Sequence, residues 1–220
     1  MAIVIQPLEL LFPPRCAFCG TLLPLGSGHI CANCAKNLPY IEPSKIVRKI
    51  GNHTCAVTFY YEDMVRTGLH ALKFSGRSAR AKAFAPYLVQ TIAEELGGTF
   101  DTVTYVPISA QRRFRRGFDQ TQLLAEHIAA TWDVPVARTL HKIRNNPPQS
   151  RIKSWEERRE NVQNVYEIRP HASIAGRRFL LLDDITTSGH TLLVCADLLL
   201  SAGASSVVCA ALAGGHADTK

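Results

Sequence analysis

A chain of 220 residues, 46% of them apolar, has material for one main core and a small appended module. Its 25 Lys and Arg against 18 Asp and Glu leave a net charge of +7. Most of that excess lies in residues 105–170, which favours polyanions such as nucleic acid or phosphorylated small molecules, although a solvated basic surface is the plainer reading of charge alone. No apolar run reaches the roughly 18 to 20 residues of a membrane-spanning helix. The opening MAIVIQPLELLFPP lacks the basic start and small-residue cleavage site of a signal peptide, so a cytoplasmic protein is expected.

Cysteine is the first feature along the chain. Cys16, Cys19, Cys31 and Cys34 stand in the spacing C-x2-C-x11-C-x2-C, whereas Cys55, Cys195 and Cys209 are scattered. Two such knuckles facing each other build the tetrahedral four-sulfur site that zinc prefers. Disulfide pairing is the rival reading, and a reducing compartment disfavours it. All four positions would be filled, so the zinc is expected to be structural; His29 could replace a sulfur but is not needed. A module of about 35 residues has no core of its own, and metal binding would supply its folding energy. Cys195 and Cys209 lie in apolar stretches and read as small buried hydrophobes.

Residues 54–62, TCAVTFYYE, are rich in β-branched and aromatic side chains and predict a strand, with a helix over 63–74 after it. KFSGR breaks that helix. A longer one is expected over 78–96, stopped by Gly97 and Gly98. Residues 101–107, DTVTYVP, predict a strand leading into an arginine-rich loop. Then come a helix within DQTQLLAEHIAATW and a short strand candidate, VPVA, at 134–137. The polar span 141–170, with its paired prolines, reads as a hood or lid outside the core. Residues 177–184, RRFLLLDD, predict a strand, 189–202 a helix and 205–213 a last strand. Strands alternating with helices define an α/β fold, a parallel sheet with helices on both faces. The expected division is a zinc-ribbon module at 1–45 and the α/β domain at 46–220.

The run FLLLDDITTSGHT, 179–191, carries the chemistry. Four apolar residues in succession suit a strand buried on both faces. Ligands in open α/β sheets bind beyond the carboxyl ends of the strands, where Asp183 and Asp184 are expected. The small residues that follow open a helix whose first amides can wrap a phosphate, helped by hydroxyls, with Gly189 allowing close approach. Carboxylates repel a phosphate, so they must serve another part of the same ligand. A ribose with a phosphate on its fifth carbon fits: Asp183 and Asp184 accept from the ring hydroxyls, and Thr186, Thr187, Ser188, Gly189, His190 and Thr191 form the phosphate loop. A magnesium ion bridging the diol and a pyrophosphate would add to the need for negative charge. The plain alternative is a buried strand whose aspartates cap the next helix.

These residues resemble the signature by which type I phosphoribosyltransferases bind phosphoribosyl pyrophosphate (PRPP), with Ser188 where many members have threonine. A second motif, RRFRRGFDQ, places Arg112, Arg113, Arg115 and Arg116 after a strand end, on the same rim as the aspartates. Their planar forks suit pyrophosphate oxygens or a nucleic-acid backbone. With CAFCG…CANC, LHALKFSGR and NPPQSRIKSWEERRENVQNVYEI, the chain resembles the ComF family of competence proteins over essentially its full length. That resemblance implies a zinc ribbon joined to a phosphoribosyltransferase domain, PRPP binding with magnesium, and the handling of imported single-stranded DNA at the cytoplasmic side during natural transformation. It also marks Gln120; Lys73, which either approaches the pyrophosphate or complements the dipole at a helix end; and Arg158, Arg159 and Asn161, which form part of a hood over the acceptor or a charged exposed helix. Asp119 stands where the family usually has asparagine, which removes a donor and adds negative charge beside the arginines.

Three functions remain open at this stage. One is a transferase that joins a nitrogen nucleophile to the sugar of PRPP, with Asp183, Asp184, Arg116 and Lys73 at its centre. Another is a DNA-binding adaptor with a PRPP-sensing pocket, on which Phe114 and Phe118 stack bases unless they pack in the core. The third is a scaffold that docks a helicase or DNA-uptake protein.

Overall fold

In the computed structural model the described residues are 13–74, 79–144 and 164–216. Arg158, Arg159 and Asn161, and most of the expected hood, lie outside them.

The cysteine module includes one short helix, α1 (Ala32–Lys36), and leads through α2 (Pro43–Ile46) into β1 (Val47–Ile50) and β2 (His53–Tyr60). Helices α3 (Asp63–Phe74) and α4 (Ala79–Glu95) follow, then β3 (Thr102–Tyr105), α5 (Ala110–Arg116) and α6 (Gln120–Trp132). The chain continues through β4 (Leu140–Lys142), β5 (Tyr166–Ile168), β6 (Arg178–Thr186), α7 (His190–Ser201) and β7 (Ser206–Gly214). The main sheet has five strands in the order β1-β2-β7-β6-β3, and β4 pairs with β5 in a separate small sheet.

The strands β2, β7, β6 and β3 are mutually parallel. β1 is antiparallel to β2, which departs from the expected all-parallel sheet. Its sequence, VRKI, carries two cations and shows no buried alternation, as befits an edge that must not recruit another chain. β6 is buried on both sides because it is central. Leu180 and Leu182 join the core beneath α4 and α6, while Phe179 and Leu181 join the core beneath α7. The expected strand at 134–137 is reduced to a single parallel bridge between Val136 and Val103. Pro135 offers a carbonyl to Val103 but has no N–H with which to continue a ladder.

The arginine-rich segment is helix α5 and not a loop. Ser109 caps its start by accepting from the Arg112 N–H, and Gly117, at φ 79°, closes it in the left-handed conformation. Three arginines in the last turn complement the carbonyl end of the helix.

The cysteine module has no separate core. Phe18 is fully buried, edge-on to Phe84 at 4.8 Å and also against Phe59 and Tyr87. The Arg80 guanidinium donates to the Ala17 carbonyl. Gly68, inside α3, makes the approach possible: a Cβ there would stand 2.8 Å from the Ala17 carbonyl oxygen and 2.9 Å from Phe84. Gly68→Ala is therefore expected to destabilise the chain by about 1–3 kcal/mol despite the better helix propensity of alanine. Thermal melting checks this, and a rise in Tm would contradict it.

Candidate functional site

Asp183 and Asp184 lie inside β6, which runs on to Thr186. On one side β7 pairs with β6 as far as Thr186 and Gly214. On the other, β3 ends at Tyr105 opposite Leu182 and turns away. The acids therefore stand at a notch in the rim, between the exposed edge of β6 and the segment 106–109 that leads into α5.

Strand alternation sends the two carboxylates to opposite faces, so they are not side by side. Asp184 points to the α3 and α6 face. Its Oδ2 lies 2.6 Å from Lys73 Nζ and accepts from Gln120 Nε2 at 3.0 Å. Gln120 is held in turn by Arg116, whose Nη1 donates to Gln120 Oε1 at 2.9 Å. Burial alone would raise the Asp184 carboxyl, but Lys73, Gln120 and Arg116 outweigh it and hold it below its ordinary value. Asp183 points to the α7 face and remains partly exposed. Its Oδ1 accepts the Asp184 N–H at 2.8 Å. Burial, and then the charge of Asp184, push it well above the carboxylate range, with Lys73 only partly opposing them. Splitting two neighbouring carboxylates in this way is characteristic of functional sites.

Beyond β6 the chain forms a cradle. Gly189, at φ 76°, precedes α7, and no side chain caps the helix there. A Cβ on Gly189 would be 2.8 Å from Ile50 Cγ2, so only glycine fits both the conformation and the space. His190 Nδ1 lies 2.9 Å from Ser188 Oγ, which fixes the ring beneath the loop. Thr187 is exposed and Ser188 and Thr191 are partly so, leaving hydroxyls at the rim.

The arginines divide. Arg116 belongs to the Asp184 network. Arg113 joins Lys142, Arg169 and Asp119 in lining a pocket of about 220 Å³ between α5 and β4. Burial and the Arg112 charge lower Lys142 to about 8, with Asp183 pulling the other way. Arg115 and Phe114 project outward, Phe114 at 90% exposure, whereas Phe118 packs on the core.

Asp119 plays a structural part that its place in the motif concealed. It caps α6, accepting from the N–H groups of Thr121 and Gln122, and it also accepts the Ile108 N–H at 3.0 Å. The signal was available: an aspartate immediately before an amphipathic run is a helix start. Lys142 and Tyr166, both close enough to feel the charge of Asp183, gave no such signal.

At the front, the sulfur atoms of Cys16, Cys19, Cys31 and Cys34 all lie within 4.8 Å of one another. The Cys19–Cys31 separation of 3.8 Å matches the edge of a tetrahedron with zinc–sulfur bonds of about 2.3 Å. Burial works against Cys19, yet hydrogen bonds with Thr21 bring it down to about 6, while burial and its thiol neighbours push Cys34 up. A zinc ion held by Cys16, Cys19, Cys31 and Cys34 would remove that conflict, since it would take all four as thiolates. Cys55, Cys195 and Cys209 are buried, as apolar packing requires.

A zinc ribbon seated on a type I phosphoribosyltransferase sheet is the class that these features define. Residues 116–220 match the phosphoribosyl transferase domain family, and residues 7–56 match the double zinc ribbon domain family. Three relatives span most of the chain. DNA utilization protein YhgH of Salmonella typhi is 28% identical over 87% of this chain and 80% of its own length. Competence protein ComFC of Bacillus subtilis is 28% identical over 88% of this chain and 74% of its own. Competence protein F of Haemophilus influenzae is 27% identical over 88% and 82%. With both matched domains, the chain is a homologue of these competence and DNA utilization proteins. Among the described residues, no helix is long and apolar enough to cross a membrane.

Proposed function

We propose that the rim of the sheet binds PRPP and that the protein acts in natural transformation, handling single-stranded DNA at the cytoplasmic side. On this reading residues 1–45 are the ribbon and 46–220 the phosphoribosyl-binding domain. The observation that carries it is the pairing of split carboxylates on β6 with an uncapped helix entrance only a few residues on. The amides and hydroxyls of residues 187–191 take the ester phosphate. Asp183 and Asp184, on the two sides of the strand, take the diol. Both offer the oxygen ligands that magnesium prefers, and that ion would neutralise pyrophosphate when bound. Lys73, Arg112 and Arg116 supply the protein's own positive charge for the same leaving group.

In a transferase reaction the nitrogen of an acceptor forms a bond to the anomeric carbon, the bond to pyrophosphate breaks, and the nitrogen loses a proton. Positive charge gathers on the sugar in the transition state, where a nearby carboxylate stabilises it. A binding role without turnover is the second reading. It is favoured by Phe114, an exposed ring among arginines on α5, which suits stacking on single-stranded bases.

One experiment separates the two. Purified protein with PRPP, magnesium and a pool of nucleobases is expected to release pyrophosphate, and Asp184→Asn should reduce that release at least about a hundredfold. Absence of turnover, together with PRPP binding and a salt-sensitive capture of single strands that Phe114→Ala weakens, would support the adaptor. Failure to bind PRPP at all would overturn the site.

A further inference from the structure

Arg48 lies outside both motifs, on the edge strand β1. Because β1 runs antiparallel to β2, moving from Ile50 back to Arg48 climbs about 7 Å toward the carboxyl ends of the parallel strands. Ile50 already abuts the helix entrance at Gly189. Residues two apart on a strand share a face, so Arg48 flanks the loop at residues 187–189.

Two further observations fix its position. Arg48 Nη1 donates to the Gly215 carbonyl at 2.8 Å, and the Gly215 N–H donates to the Thr186 carbonyl at 3.1 Å. One residue, Gly215, thus links the guanidinium to Thr186, at which the loop leaves β6. Gly214 keeps the space open, since a Cβ there would stand 3.1 Å from Arg48 Nη1 and 3.2 Å from the Thr186 carbonyl oxygen. The second terminal nitrogen, Nη2, is buried and has no hydrogen-bond partner. Among the described residues no carboxylate pairs with Arg48. A buried guanidinium N–H without an acceptor is costly.

We propose that Arg48 is the fixed cation of the phosphate subsite, its Nη2 donating to the ester phosphate of a pentose 5-phosphate held by residues 187–191. The assignment rests on the PRPP reading of the rim and adds to it a ligand from a strand that neither motif includes. A phosphate monoester is a dianion, and helix amides supply only partial charge to meet it. A guanidinium beside them supplies a full one, with planar donors that match phosphate oxygens.

Calorimetric titration of ribose 5-phosphate and of inorganic pyrophosphate into the full chain tests this. Arg48→Met is expected to weaken ribose 5-phosphate binding about ten- to a hundredfold, as loss of a charge-assisted bond does, and to leave pyrophosphate binding within about twofold. Arg48→Lys should recover part of the loss. Since Arg48 also ties Lys45 and Gly215 to the strand, a variant can lose its fold, and a measurement on the native protein covers that case. The Arg48 Nε–H resonance is expected to shift with ribose 5-phosphate and to stay in place with ribose. Wild-type binding that Arg48→Met leaves unchanged, or an unmoved resonance at saturation, overturns the assignment while the PRPP reading stands. If wild-type protein binds neither ribose 5-phosphate nor PRPP, both fall together.

Discussion

Asp183→Asn is expected to raise the stability of the ligand-free chain at pH 7 while abolishing PRPP binding, and Asp184→Asn is expected to lower it. The two acids are neighbours in sequence but titrate in opposite directions. Asp183 is held above its ordinary value by burial and by the charge of Asp184. The unfolded chain ionises it readily and the folded chain resists, so its contribution is fully present below the ordinary carboxyl pKa and is lost as pH rises toward the raised folded value. An amide does not titrate, so the variant escapes that loss. The Tm difference between Asp183→Asn and wild type should be small near pH 4 and grow toward pH 7. A gain of about 2 °C or more is the change that ~1 kcal/mol produces in a chain of this size. Asp184 has the opposite sign. Its depressed folded value means stability that is present above the ordinary pKa and lost as pH falls through the folded one. Removing its charge strands Lys73, itself only 19% exposed, at a cost of about 3 kcal/mol. Melting curves of the two variants between pH 4 and 8 decide the matter. Should both substitutions lower Tm at pH 7, the placement of the carboxylates on opposite faces is wrong. Loss of ligand binding with a gain in stability identifies Asp183 as a residue kept for function.

Where the sequence was legible, one physical rule acted alone. FLLL reads as a doubly buried strand because nothing but a central position accommodates four apolar residues in a row, and all four are fully buried. The helix at 63–74 and the stop at Gly97 and Gly98, both at positive φ, follow from periodicity and from glycine's freedom. The cysteine spacing announced its own geometry. Where the reading failed, a second influence overrode the local one. The VRKI strand is polar because it is an edge, and a burial pattern cannot reveal an unburied strand. RRFRRG reads as a loop by charge, yet a serine cap and a terminal glycine make it a helix. The predicted strand stops at Asp184, whereas β6 continues to Thr186, and ordinary alternation turns the two carboxylates to opposite faces. Arg48 was not foreseeable. Its significance depends on the Gly214–Gly215 turn and the Thr186 carbonyl, which only the fold brings to it.

Removal of zinc is expected to weaken the whole chain and not the cysteine module alone. Sequence reasoning treats the module as a unit that metal folds and chelation unfolds, leaving the sheet as it was. Phe18 changes that outcome. It sits between Cys16 and Cys19, so the knuckle that binds the ion also aims the ring at Phe84, Phe59 and Tyr87. Without the ion, the thiols of Cys16 and Cys34 are buried beside one another with no cation to gather them. The knuckle then has little reason to keep its turn, and Phe18 leaves a cavity between β2 and α4. Emptying a buried phenylalanine site costs about 3–5 kcal/mol, which corresponds to a Tm loss of about 6–20 °C in a chain of this size. Treatment with a strong zinc chelator, followed by far-UV circular dichroism and hydrogen exchange, should show retained helix and sheet, a lower Tm, and lost protection around Phe84 and Tyr87. Phe18→Ala is expected to lower Tm by a comparable amount while still binding one zinc per chain, as measured by metal analysis. A chelated protein that melts at the temperature of the native one would mean that the ribbon and the sheet are held independently, and that the Gly68 passage through which they touch is without consequence.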